Sequence, residues 1–145
     1  MENLSIAIGC DHGGFELKQK VMEHLKSRNI EFKDFGTFSK DSCDYPIYAR
    51  AVAEAVADGC YKRGIIICGT GIGVSIVANK VKGIRASLCS DTFSARLTRM
   101  HNDSNILCVG ERVVGAGLAL DIVDAWLDAE FEGGRHQRRI DMIEG

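Results

Sequence analysis

Cys68 ends a short apolar run, Ile65-Ile66-Ile67-Cys68, and glycines follow at alternate positions, Gly69, Gly71 and Gly73. The run has the pattern of a buried parallel strand. Residues 74–81 then read as a helix. Strand, glycine-rich turn and helix together aim backbone N–H groups and the positive end of a helix at an anion. A thiol at the mouth of such a cradle sets a nucleophile or base beside an oxyanion site, which is a catalytic arrangement. The dipole of a helix N-terminus favours the thiolate of a cysteine placed there, and a general base works best near neutrality. The alternative is a small residue tolerated at a tight turn, and position alone leaves both readings open.

Further groups could share that chemistry. Asp11-His12 follows the first apolar run and can cap a helix starting at Phe15. An imidazole at a helix N-terminus also suits a phosphate or a hydroxyl. His101-Asn102 closes a helical segment, where the dipole alone would favour a histidine. Arg135 and Arg139, with His136 and Arg138 between them, share a face if the segment is helical. Two guanidiniums on one face suit a phosphate, although a terminal basic run is commonly a solvated tail. His24, among Met22, Glu23 and Lys26, reads as an ordinary surface residue. A backbone cradle with a thiol and an Arg/His cluster fit a small phosphorylated substrate, held at its phosphate and worked on at its far end.

Several motifs nearly fit. Gly9 to Gly14 has Walker spacing, but Phe15-Glu16 stands where Lys-Ser/Thr is needed. Val74 occupies the third glycine position of a dinucleotide fingerprint, and also the arginine position of a cysteine phosphatase loop. Asp91 lies where a ribose-binding acid would be, which keeps a nucleotide or sugar-phosphate sensor in view.

The elements that must position these groups alternate along the chain. Strands are expected at 4–9, 31–35, 64–68, 86–89 and 106–109. Helices are expected at 15–28, 47–57, 74–81, 92–100, 116–131 and 137–143. This order implies an α/β fold: a three-layer αβα Rossmann-like sandwich on a five-stranded parallel sheet. Ligands of such sheets sit beyond the carboxyl ends of the strands, so the polar groups, His101-Asn102 included, are expected along one rim. The 145 residues read as one domain, 1–145. A net charge of −2 gives no general attraction to nucleic acid or an anionic membrane, and no apolar segment reaches membrane-span length. Six cysteines without a C-x-x-C pair, and no basic start followed by an apolar run, point to reduced thiols and a cytoplasmic location.

Seven segments occur together in order: Asp11-His12-Gly13-Gly14, Asp44-Tyr45-Pro46, Cys68-Gly69-Thr70-Gly71-Ile72-Gly73, Ala78-Asn79-Lys80, Gly83-Ile84-Arg85-Ala86, Arg99-Met100-His101-Asn102 and Gly134-Arg135-His136-Gln137-Arg138-Arg139. With these the whole chain resembles the type B ribose-5-phosphate isomerase family, whose wider membership includes galactose-6-phosphate isomerase subunits. The resemblance implies interconversion of D-ribose 5-phosphate and D-ribulose 5-phosphate in the pentose phosphate pathway, with no metal or organic cofactor. It implies a homodimer or dimer of dimers with shared active sites. Cys68 resembles the base that moves a proton between C1 and C2, and Thr70 the hydroxyl that helps protons move between O1 and O2. The amides of Gly69, Gly71, Ile72 and Gly73 resemble the anion hole. His101 with Asp11 resembles the ring-opening pair. His12, Arg135 and Arg139 resemble phosphate ligands, and Tyr45, Asn102 and Arg112 further substrate contacts. Some members carry a glutamate one residue past the last loop glycine; here that residue is Val74, so the chain is of the cysteine type. Galactose-6-phosphate or allose-phosphate isomerisation are the neighbouring alternatives.

Overall fold

The computed structural model describes residues 3–145. Five strands, β1 (Ser5–Cys10), β2 (Glu31–Asp34), β3 (Arg63–Cys68), β4 (Ala86–Leu88) and β5 (Ile106–Gly110), form one sheet in the order β2-β1-β3-β5-β4. Every pairing is parallel. The helices are α1 (Phe15–Ser27), α2 (Tyr45–Ala57), α3 (Ile72–Asn79), α4 (Thr92–Asn102), α5 (Ala116–Asp128) and α6 (Arg135–Glu144).

Parallel strands covered on both faces must be apolar on both, and the central ones are. Ile6, Ile8, Ile65, Ile67, Leu107 and Val109 face the layer of α1 and α5, where Trp126 is fully buried. Their alternating neighbours Ala7, Ile66, Cys68, Ile106 and Cys108 face α2 and α3. The pleat therefore turns Cys68 toward the α2–α3 layer, the side from which the glycine loop enters α3.

The expected elements all form, with shifted ends. α3 starts at Ile72 rather than 74 because Gly71, at φ 80°, makes the turn into it. That left-handed conformation suits glycine, which has no Cβ to clash. α5 stops at Asp128 instead of 131, where Ala129 turns extended. α6 begins at Arg135, two residues early. Among the described residues no helix is long and apolar enough to cross a membrane.

His24 departs from the surface reading. Its Nε2 lies 2.7 Å from Asp124 Oδ1, and Arg28 Nη1 reaches the same oxygen at 2.6 Å. The end of α1 and its capping residue Arg28 thus carry two groups that pin α1 to α5.

Candidate active site

The sheet order puts β1 beside β3, and the chain leaves these two strands in opposite lateral directions. Such a switch point opens a crevice beyond the strand ends. Asp11 follows β1 there, and its N–H donates to the Ile67 carbonyl at 3.3 Å. Asp11 Oδ1 accepts the Gly13 N–H at 2.8 Å, which closes the short turn His12–Gly14. A Cβ built on Gly13 would come within 3.2 Å of the Gly69 nitrogen, so that turn rests on the cysteine loop. His12 Nδ1 accepts the Cys43 N–H at 3.2 Å, which leaves Nε2 for a ligand.

Cys68 is 6% exposed, at the carboxyl end of β3 and against the α2–α3 core. Its Sγ accepts the Gly71 N–H at 3.0 Å, a contact that strengthens once the sulfur is ionised. The Ile72 N–H donates to Thr70 Oγ1 at 3.2 Å. The N–H groups of Gly73 and Val74 lie in the first turn of α3, where the carbonyls four residues back precede the helix. They are the donors a developing oxyanion needs. The loop is packed from below: a Cβ on Gly110 would stand 2.5 Å from the carbonyl carbon and oxygen of Thr70, so only glycine lets β5 pass so close.

Two side chains lie over the loop. The Tyr45 ring sits where a Cβ on Gly73 would meet it at 2.6 Å. Arg112 Nη1 is 3.2 Å from the corresponding position on Gly69, and the Arg112 N–H donates to the Gly69 carbonyl at 3.0 Å. The crevice therefore gathers Asp11, His12, Tyr45, Cys68, the loop from Gly69 to Gly73, Thr70 and Arg112.

His101 and Asn102 are not in it, which corrects the expectation that they share this rim, and Arg135 and Arg139 lie apart from it as well. A helix returning between parallel strands runs against them, so α4 starts at the carboxyl edge and ends at the opposite one. The bonding at its end fixes this. Arg85, just before β4, donates to the Asn102 carbonyl at 3.0 Å, and the Asn105 carbonyl accepts the Gly64 N–H at the start of β3. Six residues of β3 put these two edges roughly 16 Å apart. His101 stacks on His136 of α6, so Arg135 and Arg139, both exposed, also lie at that far edge. Within one chain, His101 and Asp11 are not neighbours.

Asp91 caps α4: its Oδ1 accepts the Ser94 N–H at 2.6 Å, and its Oδ2 accepts the Ser94 hydroxyl at 3.0 Å. The backbone bond from Ser94 holds the carboxyl below the usual range. This use of the carboxylate removes the ribose-binding role that a nucleotide sensor would need.

Sequence reasoning missed Lys18 and Glu132. Lys18 is fully buried, with Nζ 2.6 Å from Asp34 Oδ1 and 2.5 Å from the Thr37 carbonyl. It anchors the turn that pairs with Cys10 just before Asp11, since Thr37 N–H donates to the Cys10 carbonyl at 2.7 Å. Its signal was a lysine in register with Phe15, Met22 and Leu25 on the apolar stripe of α1. Glu132 sits in a loop with no periodicity to mark it.

Three buried thiols, those of Cys10, Cys89 and Cys108, are poor nucleophiles. Burial pushes Cys10 up to about 12, with Lys18 opposing, and Cys89 up to about 11; Cys108 is pushed up further still by burial. Alkylation of the folded protein at about pH 8 should modify exposed Cys60 first and spare these three until the chain unfolds. Peptide mass spectrometry after timed iodoacetamide treatment checks this.

Comparison with known proteins adds independent findings. The profile of a family described as Ribose/Galactose Isomerase matches residues 6–143. Ribose-5-phosphate isomerase B of Escherichia coli (strain K12) is 57% identical over 95% of this chain and 93% of its own length. The structure of Clostridium thermocellum ribose-5-phosphate isomerase B superposes with a TM-score of 0.96 at 57% identity, covering 97% of this chain and 95% of that one. Ribose-5-phosphate isomerase B from Mycoplasma genitalium, solved with bound ribulose-5-phosphate, gives a TM-score of 0.94 at 43% identity over 99% and 96% of the two chains.

Proposed function

The chain belongs to the ribose/galactose isomerase family, and from that premise we propose how its residues divide the work of an aldose–ketose isomerase. The enzyme interconverts D-ribose 5-phosphate and D-ribulose 5-phosphate through an enediolate. The carrying observation is Cys68 Sγ, held by the Gly71 N–H at the mouth of the loop between β3 and α3. From the open-chain aldose, Cys68 takes the proton on C2. The electron pair released forms the C1–C2 double bond, and negative charge gathers on O1. The loop amides cover that charge, acting where it develops. Thr70 passes the O2 proton to O1, and Cys68 returns its proton to C1, leaving the ketose. One proton changes carbon, with no net oxidation of the substrate.

The distal phosphate is held by His12, Arg135 and Arg139, with Tyr45, Asn102 and Arg112 as further contacts. His101 with Asp11 opens the furanose ring. The place of His101, Asn102, Arg135 and Arg139 at the far edge of the sheet from Cys68 supports a site completed by the copies of a second subunit. The working unit is thus a homodimer or a dimer of such dimers, with sites shared between chains. Residues 1–145 act as one isomerase domain in the cytoplasm, within the pentose phosphate pathway; six free cysteines support a reducing compartment.

A coupled assay that follows ribulose 5-phosphate formed from ribose 5-phosphate tests the activity. In it, Arg135→Ala and Arg139→Ala should each raise KM about tenfold with little change in kcat, the loss of one charge-assisted phosphate contact. An unchanged KM would remove both from the phosphate site.

A further inference from the structure

His101 and His136 stack face to face, ring centroids 4.2 Å apart and planes 10° apart. Oε1 of Glu132 lies 3.5 Å from Nε2 of His101 and 3.3 Å from Nε2 of His136. The three side chains come from separate segments: the last turn of α4, the first turn of α6 and the loop between α5 and α6. The Glu132 N–H donates to the Met100 carbonyl at 3.0 Å, tying that loop to the end of α4. His136 is buried, whereas His101 and Glu132 remain partly open.

A His-Glu-His cluster invites a metal reading, and the ring geometry speaks against it. An imidazole binds an ion along a line in its own plane. Two stacked planes 10° apart do not meet near their nitrogens, so one ion cannot satisfy both. A charge contact, which needs no shared plane, fits instead: one carboxylate oxygen lies beside the Nε2 edges of both rings. The partner of one ring nitrogen sets which nitrogen carries the proton and how the ring is turned. The carboxylate beside Nε2 of His101 makes Nδ1 the edge turned away from Glu132.

Opening a furanose needs such an edge. The anomeric hydroxyl loses a proton, C1 and O1 become an aldehyde, the C1–O4 bond breaks, and O4 receives a proton. A donor turned by even a fraction of its ring width misses O4. We infer that Glu132, with His136 stacked behind, is a positioning residue that holds His101 with Nδ1 toward the ring oxygen of the sugar bound at the partner chain's loop. This rests on the ring-opening role proposed for His101.

The substrate pair offers a test that separates positioning from structure. Ribulose 5-phosphate cannot close a five-membered ring, because O5 carries the phosphate. Its deprotonation at C1 therefore needs no ring opening, and deuterium uptake at C1 in heavy water reads the Cys68 step alone. Glu132→Gln should lower kcat from ribose 5-phosphate about tenfold, the scale of lost outer-sphere support, while deuterium uptake stays within about twofold of the parent. His136→Phe, which keeps the stacked plane, should fall less. If Glu132→Gln lowers both readouts together, or neither, the positioning role is overturned. His101→Ala separates the two layers of inference. If it loses turnover while Glu132→Gln does not, only the role of Glu132 fails. If His101→Ala keeps full turnover, the ring-opening assignment falls, and the role of Glu132 with it.

Discussion

Replacing Cys68 with alanine should lower kcat for ribose 5-phosphate by two to four orders of magnitude, the range that general acid–base catalysis contributes. KM should change little, because the phosphate contacts and the loop amides remain. The fold should survive: Cys68 ends β3 at the edge of the α2–α3 core, and losing one sulfur there costs roughly 1 kcal/mol. Deuterium uptake at C1 of ribulose 5-phosphate should fall in parallel with turnover, because both need the same base. This distinguishes Cys68→Ala from variants at His101 or Glu132, whose uptake persists. A folded Cys68→Ala protein with kcat within tenfold of the parent would mean that another group moves the proton.

The second large effect is a gain. Cys68→Ala and His101→Ala should each be nearly inactive toward ribose 5-phosphate, yet coexpression should recover about a quarter of parental activity. Random pairing makes half of the dimers hybrid. In each hybrid one site inherits both defects, and the other joins an intact Cys68 to an intact His101. The reason is the roughly 16 Å that β3 spans between the edge bearing Cys68 and the edge where α4 ends. No side-chain rotation closes that gap inside one chain. Activity of the mixture no greater than the sum of the two variants alone would place the complete site within a single subunit.

Much of this was legible in the chain itself. The run of isoleucines before Cys68 has the pattern of a strand buried on both faces, and the glycine spacing after it that of a turn into a helix. Alternating periodicities then dictate a doubly covered parallel sheet. The element ends were less legible, because they depend on individual backbone angles. Gly71 in the left-handed region starts α3 early, and Ala129 in the extended region ends α5 early. Lys18 was readable only as an anomaly on an apolar stripe, since its partners Asp34 and Thr37 are brought to it by the pairing of β1 with β2.

Local pattern thus determined the layers, the cysteine loop and the types of chemistry available, because each depends on neighbours within a turn or a strand. Tertiary structure alone decided which groups share an edge. The family resemblance pairs His101 with Asp11, but α4 runs against the strands and carries His101 away from the crevice of its own chain. The same packing takes Asp91 into a helix cap, ties His24 to Asp124 across two helices, and sets Glu132 beside the edges of two stacked imidazoles. Such juxtapositions arise from chain direction and long-range packing, and no local spacing encodes them.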